Sequence, residues 1–511
     1  MPVPATLSTL STQGHGFAVF PEVRICRVPN GKGFQHLLFG DYITPPKKSD
    51  GSYSRWGEDS TQEVNGETWL KVRSRQEEGW IRLSEIQTQR LLEVNFVDIG
   101  QGDGCHLVTP SDEHFIIDAG EGDNMYRFLR WRFNLSQSGG QLPKFTAIIS
   151  HPDEDHYKGL NLLLAQPPAN QKRQIRFDEV FHNTIIQRAG STLGKSTSFN
   201  GVNYLSEFID TQAKLVDVLG KDGAKSNYEK LLKGSLNTFP NLSIKGIWKD
   251  MGQETLIYDD PLLRLEVLAP IPETIEVDGV KQKALRWFAD DVGKTKNGHS
   301  VVLAARIGKM KILLGGDLNS KSADYLMSRY SGKNVELVKK KIALSNDEQE
   351  LVELRSELQE IINENRTYFQ SEVAKACHHG SHDITNEFLQ AVNPIATIIS
   401  SGDEESFCHP RPETLGAIGK FSRGERPLIY STELARSSPE YITLQTKNLK
   451  TDTVKQRIVS TYGMITLRTD GETAVIAQKL EKPRSSFGDI TKWQIDKLIW
   501  NDERGEFISK K

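Results

Sequence analysis

Metal-binding side chains are concentrated in one stretch of the chain, residues 150–160, which reads SHPDEDHYKGL. The side chains are those of His151, Asp153, Asp155 and His156. A short apolar run directly before them predicts a buried strand that leads into the loop. Two imidazoles and two carboxylates this close together repel and desolvate one another unless a cation lies between them. The stretch therefore predicts a metal-binding loop, and the alternative is a polar loop whose aspartates cap the following helix.

Composition limits the class of protein and its surroundings. The chain has 511 residues, enough for two or three domains, and a net charge of -3 that argues against a broadly basic nucleic-acid coat. Its four cysteines form no C-x-x-C pair and no disulfide-dense pattern, which favours a reducing, cytoplasmic location. No apolar run is long enough to span a bilayer, so we expect no membrane association.

The N-terminal part predicts a small domain of its own. Residues 1–16 are rich in Ser and Thr and are predicted to be disordered, whereas residues 17–90 contain short strand-like runs separated by turn residues. The segment ETWLKVRSRQEEGWIRL, residues 67–83, resembles the last strands of bacterial SH3-like domains. This resemblance implies a small all-β barrel over residues 17–90. Such domains usually bind peptides or cell-wall glycans, but here we expect a purely structural or partner-docking role.

Six blocks after residue 90 resemble, in order, the hydrolase domain of ComEC-type competence proteins in the metallo-β-lactamase superfamily. They read VNFVDIGQGDGCHLV, FIIDAG, SHPDEDHYKGL, ILLGGDLN, ACHHGSHD and IISSGDEESFCHPRPETL. The resemblance implies an α/β fold, the metallo-β-lactamase αββα sandwich, over residues 91–480. Insertions are expected at about 186–250 and 319–372, and residues 481–511 form a C-terminal tail. ComEC-type proteins also carry a membrane channel that this chain lacks, so the resemblance implies the hydrolase and not DNA uptake.

Two further predictions concern elements outside the blocks, a group of strands and a helix. Apolar runs at residues 427–431, 464–469 and 474–477 are predicted as strands that close the second sheet of the sandwich. In the second insertion, apolar residues recur at helical spacing among Glu, Lys and Arg, which predicts an amphipathic helix near residues 348–365. Its apolar residues are Leu351, Leu354, Leu358 and Ile361. Such a helix packs on the core or on a partner protein.

The resemblance also implies a ligand set for two divalent metal ions. His151 and Asp153 would serve one ion, Asp155 and His156 the second, and Asp317 would bridge both. The HHGS block would supply a further imidazole, which we assign to His379. Asp153 occupies a position where many members of the superfamily have histidine, and this favours manganese as well as zinc. Whether His182 is another ligand is left open, because a buried histidine satisfied by the backbone is the alternative.

Catalytic roles are assigned on the same basis. Asp155 and Asp317 would hold the ions at the reacting centre, His378 would face the substrate, and His409 would contact a phosphate or protonate a leaving group. The GQGDG segment is read as a tight turn, and Asp98 and Asp103 are expected to brace the metal loop.

These assignments predict a dinuclear-metal phosphodiesterase whose substrate, following the family, is DNA. One alternative is hydrolysis of a small phosphodiester, as in phosphorylcholine esterases, whose loop and HHG block are similar. A lid formed by the first insertion would favour this alternative. The other alternative is a recognition or regulatory subunit with a structural metal site. Beyond the DNA substrate, a protein partner would bind the N-terminal barrel or the helix near residues 348–365.

Overall fold

The chain forms two units in a computed structural model. The structure describes residues 4–57, 61–138, 141–167, 171–221, 223–402, 408–433, 436–444, 453–486 and 489–510. For residues 436–444, 453–462, 481–486 and 489–490 it describes the backbone and not the side chains. The terminal unit comprises residues 1–95, 108–112 and 434–511, and the central unit comprises residues 96–107 and 113–433. This division does not coincide with the predicted boundaries at residues 90 and 480.

The terminal unit begins with a helix and a series of short strands. Helix α1 is Leu7–Gln13, and the strands are β1 (Gly16–Ala18), β2 (Glu22–Cys26), β3 (Gly33–Leu38), β4 (Tyr42–Ile43), β5 (Thr61–Val64), β6 (Glu67–Ser74), β7 (Glu77–Arg82), β8 (Ile86–Gln87) and β9 (Leu92–Phe96). Thr6 and Thr9 form a capping box at the start of α1, and Leu10 is fully buried. The prediction of disorder is therefore wrong for residues 7–13, because the cap and the buried leucine stabilise a helix.

The strands of this N-terminal part form two sheets. One sheet has the order β4-β1-β8 and the other β3-β2-β7-β6-β5. Strands β6 and β7, which carry the SH3-like motif, form an antiparallel hairpin with Trp69 opposite Arg82. One side of this hairpin packs into a core that includes Leu70, Val72 and Ile81. Small antiparallel sheets around one core agree with the predicted all-β character, and the SH3-like barrel itself stays a prediction.

The central unit contains most of the strands. They are β10 (Gly104–Val108), β11 (His114–Ala119), β12 (Lys144–Ile149), β13 (Arg176–His182), β14 (Ser196–Phe199), β15 (Val202–Leu205), β16 (Ser243–Gly246), β17 (Leu256–Asp259), β18 (Leu263–Ala269), β19 (Glu273–Val277), β20 (Val280–Arg286), β21 (Val302–Ile307), β22 (Met310–Leu314), β23 (Val373–Lys375), β24 (Ala396–Ile399) and β25 (Leu428–Ser431).

The helices of the central unit lie between these strands. They are α2 (Asn124–Arg132), α3 (Glu154–Tyr157), α4 (Gln212–Lys221), α5 (Asn227–Thr238), α6 (Val292–Gly298), α7 (Ser320–Ser331), α8 (Val335–Leu344), α9 (Glu348–Phe369), α10 (Asn386–Val392) and α11 (Pro412–Phe421). The long helix α9 begins at Asp347, whose carboxylate accepts hydrogen bonds from two backbone N–H groups of the first turn. It buries Leu354 and Ile361, so the predicted amphipathic helix is confirmed and packs on the core of its own unit.

Two main sheets form the centre of this unit. The first has the order β16-β13-β12-β11-β10, with parallel pairing from β11 through β16. The second has the order β17-β18-β21-β22-β23-β24-β25 and becomes parallel from β22 onwards. A smaller sheet, β14-β15-β20-β19, includes part of the first predicted insertion. Parallel strands that are buried on both faces explain the continuous apolar runs in β11, β12 and β24.

Alternating side chains show how the two main sheets are layered. Ile116 lies in a core with residues of α2, α4 and α5, and Leu313 lies in a core with residues of α7, α8 and α9. Their neighbours Ile117 and Leu314 point the other way and line one buried cavity of about 30 Å³. The layers of the central unit therefore run helix, sheet, sheet, helix, which is the order that the predicted αββα sandwich requires.

The C-terminal strands belong to the terminal unit. They are β26 (Arg436–Leu444), β27 (Thr453–Thr469), β28 (Thr473–Ser486), β29 (Asp489–Asn501) and β30 (Glu506–Lys510). The sheet of this unit has the order β9-β27-β28-β29-β30, with β26 paired to β27. The prediction that residues 464–469 and 474–477 close the second sheet is thus wrong, and only β25 does so. The end of β28, together with β29 and β30, lies where residues 481–511 were predicted to form a tail.

Within the described ranges, every helix is too short or too polar to cross a lipid bilayer.

Candidate metal centre

Site residues of the central unit are placed at the carboxyl ends of strands from both main sheets. Asp118 is near the end of β11, His151 follows β12, Asp317 follows β22, His378 and His379 follow β23, and Ser400 follows β24. The carboxyl ends of parallel strands commonly carry ligand sites in α/β folds, because the chain turns there into loops that can converge. The metal-binding loop predicted at residues 150–160 lies at this edge because it directly follows β12.

His151 is held at one ring nitrogen by two hydroxyl groups. Its side chain is fully buried, and Nδ1 lies 3.0 Å from Ser150 Oγ and 3.3 Å from Ser300 Oγ. The other nitrogen, Nε2, is buried and has no hydrogen-bond partner. An imidazole fixed through Nδ1 with a bare Nε2 has the orientation that metal-binding histidines usually have.

His156 and His379 are held in the same way. His156 Nδ1 lies 2.8 Å from Asp118 Oδ2, and His379 Nδ1 lies 3.1 Å from the Ser400 carbonyl oxygen and 3.3 Å from Asp103 Oδ1. The Nε2 atoms of both rings are buried and form no hydrogen bond. A buried polar atom without a partner is costly, so three such atoms in one place call for an explanation.

The Nε2 atoms of His156 and His379 face Asp317. Asp317 Oδ2 lies 3.3 Å from His156 Nε2 and 3.2 Å from His379 Nε2, and its own N–H donates to Ser300 Oγ at 3.0 Å. Ligand atoms of His151, His156 and Asp317 all lie within 4.8 Å of one another. Asp155, His156 and His379 form a second such group, in which Asp155 Oδ2 is 3.5 Å from His379 Nε2. The two groups share His156, whose Nδ1 is held by Asp118, so that its Nε2 atom can serve one ion.

The charges of the centre shift its pKa values strongly. Burial alone would lower the pKa of His156, but nearby carboxylates, Asp317 foremost, hold it well above its ordinary value. The pKa of His379 is likewise raised against the effect of burial, chiefly by Asp317 and Asp103. Burial would raise the pKa of Asp317, but the two imidazoles hold it well below its usual range. Carboxylates therefore dominate the electrostatic surroundings of the two imidazoles, and a cation held between these groups would be stabilised.

Asp103 is tied to the metal loop and to a buried lysine. Its N–H donates to the carbonyl oxygen of Asp155 at 3.2 Å, and its carboxylate contacts the ammonium of Lys375. The preceding Gly102 has φ +98°, and a Cβ there would lie 1.7 Å from that same carbonyl oxygen. The prediction that the QGDG turn braces the loop is confirmed for Asp103, and the close approach requires glycine.

Lys375 places a buried positive charge beside Asp103 and Asp317. Its side chain is 5% exposed, and Nζ donates to the Gly316 carbonyl oxygen at 3.1 Å and lies 3.8 Å from Asp317 Oδ1. Burial lowers the pKa of Lys375, but the two aspartates outweigh this effect and raise it overall. The ammonium is therefore charged at neutral pH and fixes the carboxylate of Asp103 from the side away from His379.

Asp153 differs from the other predicted ligands because a lysine already occupies its carboxylate. Oδ1 contacts the ammonium of Lys296, and Oδ2 lies 3.4 Å from His151 Nε2. The Asn297 amide satisfies its hydrogen bonds only with its nitrogen toward this carboxylate, and it then donates to Oδ2 at 2.9 Å. Among the described residues, Asp153 belongs to none of the close ligand groups. Its role as a metal ligand stays a prediction.

His378 and His409 lie at the more open side of the centre. The His378 side chain is 26% exposed, and its Nε2 is 3.9 Å from Asp317 Oδ2. The rings of His378 and His409 are 5.9 Å apart, and His409 is 6.3 Å from the ring of His379. In the part of the chain described here, His379 belongs to the close ligand groups and His378 does not. This placement agrees with the assignment of His379 as a ligand, and the roles of His378 and His409 stay predictions.

His182 is close in the sheet but is not brought into the centre. It pairs with Ile149 at the end of β13, its side chain is buried, and neither ring nitrogen has a hydrogen-bond partner. Burial lowers its pKa to about 4, so the ring is neutral. The ligand groups found among the described residues do not include it.

Three charged residues of the site were not predicted from the sequence, namely Asp118, Lys296 and Lys375. Asp118 could have been recognised, because a carboxylate at the end of an otherwise apolar strand must have a buried partner. Lys375 carries a similar signal, since it closes the short strand β23, whose residues are all buried. Lys296 lies on a short helix, and its spacing in the sequence does not distinguish it from other lysines.

The donor set fits divalent transition-metal ions. Imidazole and carboxylate ligands together suit zinc and manganese, and the bare Nε2 atoms supply the positions that such an ion would use. Fold and side chains thus define a mixed α/β protein with a histidine and carboxylate centre suited to divalent metals.

Solved structures that are similar to this chain differ from it widely in sequence. No family model matches the sequence, and no curated protein matches it. One similar solved structure is Tm1679, described as a metal-dependent hydrolase of the beta-lactamase superfamily. It is 14% identical with a TM-score of 0.30, over 66% of this chain and 95% of that one. Another is zinc-bound PqqB from Methylobacterium extorquens, 10% identical with a TM-score of 0.23, over 46% and 58% of the two chains. At such scores, neither likeness adds to the argument from the chain's own residues.

Proposed function

We propose that this protein is a metal-dependent hydrolase of the metallo-β-lactamase type, and specifically a dinuclear phosphodiesterase that cleaves DNA. The observation that carries the proposal is the close grouping around Asp317 of His151, His156 and His379, each with a buried Nε2 atom that has no hydrogen bond. Two ions held by a shared carboxylate can lie about 3.5–4 Å apart, the separation used in phosphoryl transfer. The order of the six sequence blocks supports DNA as the substrate.

The proposed ligands divide into two half-sites. His151 and Asp153 hold one ion, Asp155, His156 and His379 hold the other, and Asp317 bridges them. We propose zinc or manganese, because the set mixes imidazoles with hard carboxylate oxygens.

When bound, the two ions would activate a water molecule and neutralise charge that develops on the phosphate. The protein's contribution is orientation. Hydroxyl, carboxylate and carbonyl groups fix the Nδ1 atoms of the three imidazoles, so the ligands need not reorganise during the reaction. His378 and His409 stand on the open side, where we place the scissile phosphate and its leaving group.

Hydrolysis of a small phosphodiester is the second candidate. Two contacts favour it, because they tie the first insertion to the metal loop. Asn227 at the start of α5 donates to Glu154 at 2.9 Å, and Gln187 lies 3.5 Å from Lys296 Nζ. An insertion held against the loop would narrow the approach for a polymer. The other alternative, a regulatory subunit with a structural metal, is weakened by the open side of the centre.

Hydrolysis assays with a substrate panel test the proposal. Purified protein loaded with manganese or zinc is incubated with plasmid, linear and single-stranded DNA, RNA and bis-nitrophenyl phosphate. We expect metal-dependent cleavage of DNA and of the chromogenic diester, abolished by a chelator and restored by the metal. Cleavage of the small diester without cleavage of any DNA would favour the second candidate. No cleavage of any substrate by metal-loaded protein would contradict both.

A further inference from the structure

The two half-sites of the proposed centre differ in what surrounds their carboxylates. In the His151 and Asp153 half, Lys296 of α6 approaches to ion-pair distance of Asp153, with its own side chain only 13% exposed. In the other half, Asp155 contacts only histidines, and within the described ranges its carboxylate has no lysine or arginine within 4 Å. Among the described residues, the carboxylate of Asp153 therefore has a lysine partner and that of Asp155 has none.

The contacts of Asp153 leave little of its carboxylate for an ion. Oδ1 is engaged by the Lys296 ammonium, and Oδ2 accepts from the Asn297 amide and lies near His151 Nε2. An ion that uses both His151 and Asp153 must displace Lys296 or share the carboxylate with it. A second acceptor for the ammonium is nearby, because Lys296 Nζ lies 3.5 Å from Gln187 Oε1.

The Asp155 half has no such competitor. His156 and His379 present unpartnered Nε2 atoms that already face one carboxylate oxygen of Asp317. Binding there displaces no lysine. The ion would replace the contacts of the two imidazoles with Asp317, and it would complete buried Nε2 atoms that lack hydrogen bonds.

We propose that Lys296 makes the two half-sites unequal, so that the first ion binds the Asp155, His156 and His379 half tightly and the second binds only by displacing Lys296 from Asp153. This inference rests on the proposed dinuclear centre. It assigns Lys296 as the residue that sets the affinity for the second ion, and it predicts that the protein is loaded in two distinct steps.

Calorimetric titration of metal-free protein with Mn²⁺ measures both steps without any substrate. In the wild type, we expect two binding events whose dissociation constants differ by at least about tenfold, since a dication and an ammonium near 4 Å repel strongly even in water. Lys296→Met keeps the length of the side chain but removes its charge. It should tighten the second event by about tenfold or more and leave the first event within about twofold.

Matched variants isolate the charge at residue 296. Lys294 lies two residues away on the same helix, and its side chain is exposed. The Lys294→Met variant should therefore reproduce the wild-type titration. Lys296→Arg keeps the positive charge and should retain two unequal steps. If Lys296→Met is not folded by circular dichroism, Lys296→Gln replaces it in the same titration.

Three results would overturn the inference. They are equal affinities for both ions in the wild type, an unchanged second step in the uncharged variant, or a weaker second step in that variant. Absence of any metal binding by the wild type would instead contradict the dinuclear centre itself. Because the titration contains no substrate, failure of the proposed DNA cleavage leaves its result intact.

Discussion

Each imidazole of the centre depends on a neighbour that holds its Nδ1 atom. Those neighbours are side chains or backbone groups of other strands, such as Asp118 for His156 and Ser300 for His151. Such supporting contacts orient a ligand and fix its tautomer, and their loss commonly lowers metal affinity about 10- to 100-fold. The first residues to substitute are nevertheless the ligands, because their loss removes a metal contact directly.

Asp317→Asn tests the bridging role with almost no change in size. A neutral amide cannot balance two dications, so we expect bound metal to fall from two ions per chain to one or fewer. We also expect hydrolysis to fall by at least about 100-fold. Metal analysis, circular dichroism and the diester assay measure these effects on the same preparation.

Asp324→Asn is the control for that substitution. Asp324 lies on α7, where it is paired with Lys339, and it is not part of the ligand groups among the described residues. This variant should keep both ions. Two ions and full activity in Asp317→Asn would rule out the bridge.

How much of the centre the sequence predicts depends on how local its parts are. The HPDEDH spacing places four candidate ligands on one loop, so that part could be predicted from the residues themselves. The contact between Lys375 and Asp103 joins residues 272 positions apart, and that between Lys296 and Asp153 joins residues 143 apart. Lysine is usually solvated at a surface, so only the tertiary arrangement identifies these two as parts of the centre.

At the level of elements, periodicity predicted whether a segment is a helix or a strand better than it predicted which sheet a strand joins. The helical spacing from Leu351 to Ile361 correctly indicated α9, and the apolar run before the metal loop correctly indicated β12. The strands at residues 464–469 and 474–477 were also correct as strands, but they lie in the sheet of the terminal unit. Alternation of apolar and polar residues fixes which face is buried, and it carries no information about which sheet a strand joins.

Helix α9 offers a test of its buried stripe. Ile361 is fully buried in the core of the second sheet, and Ile361→Ala should lower the free energy of unfolding by about 2–5 kcal/mol. Val352 lies on the same helix but is 66% exposed, so Val352→Ala should change it by no more than about 0.5 kcal/mol. Denaturant midpoints of the two variants measure the difference. Equal effects would mean that α9 does not contribute to the core as described.

At the scale of the whole molecule, the two ends of the chain share one unit. Leu38 and Phe39 of the N-terminal part lie in a core cluster with Val475 and Trp493 of the C-terminal strands. The buried guanidinium of Arg468 also contacts the N-terminal part. It donates to the Phe39 carbonyl oxygen at 3.0 Å and pairs with Asp41 at 2.8 Å. A region predicted as an independent docking barrel is therefore packed against strands from the other end of the sequence.

This shared core leads to a prediction about truncation. Removing residues 1–87 exposes Val475 and Trp493 and leaves Arg468 without Asp41. Loss of Leu38 and Phe39 alone costs about 1.5–3 kcal/mol for each side chain, a large part of the 5–15 kcal/mol that stabilises a typical domain. We therefore expect the fragment of residues 88–511 to be insoluble or to form large aggregates in size-exclusion chromatography.

Co-expression supplies the control for this truncation. If the loss arises from the missing core, a separate fragment of residues 1–87 should bind the longer fragment, co-purify with it and restore a soluble species of the full-length mass. Two fragments can reassemble in this way because the cut falls in the loop between β8 and β9, outside either strand. A fragment of residues 88–511 that is soluble and monodisperse on its own, with its metals bound, would show instead that the N-terminal part folds independently and serves only to dock a partner.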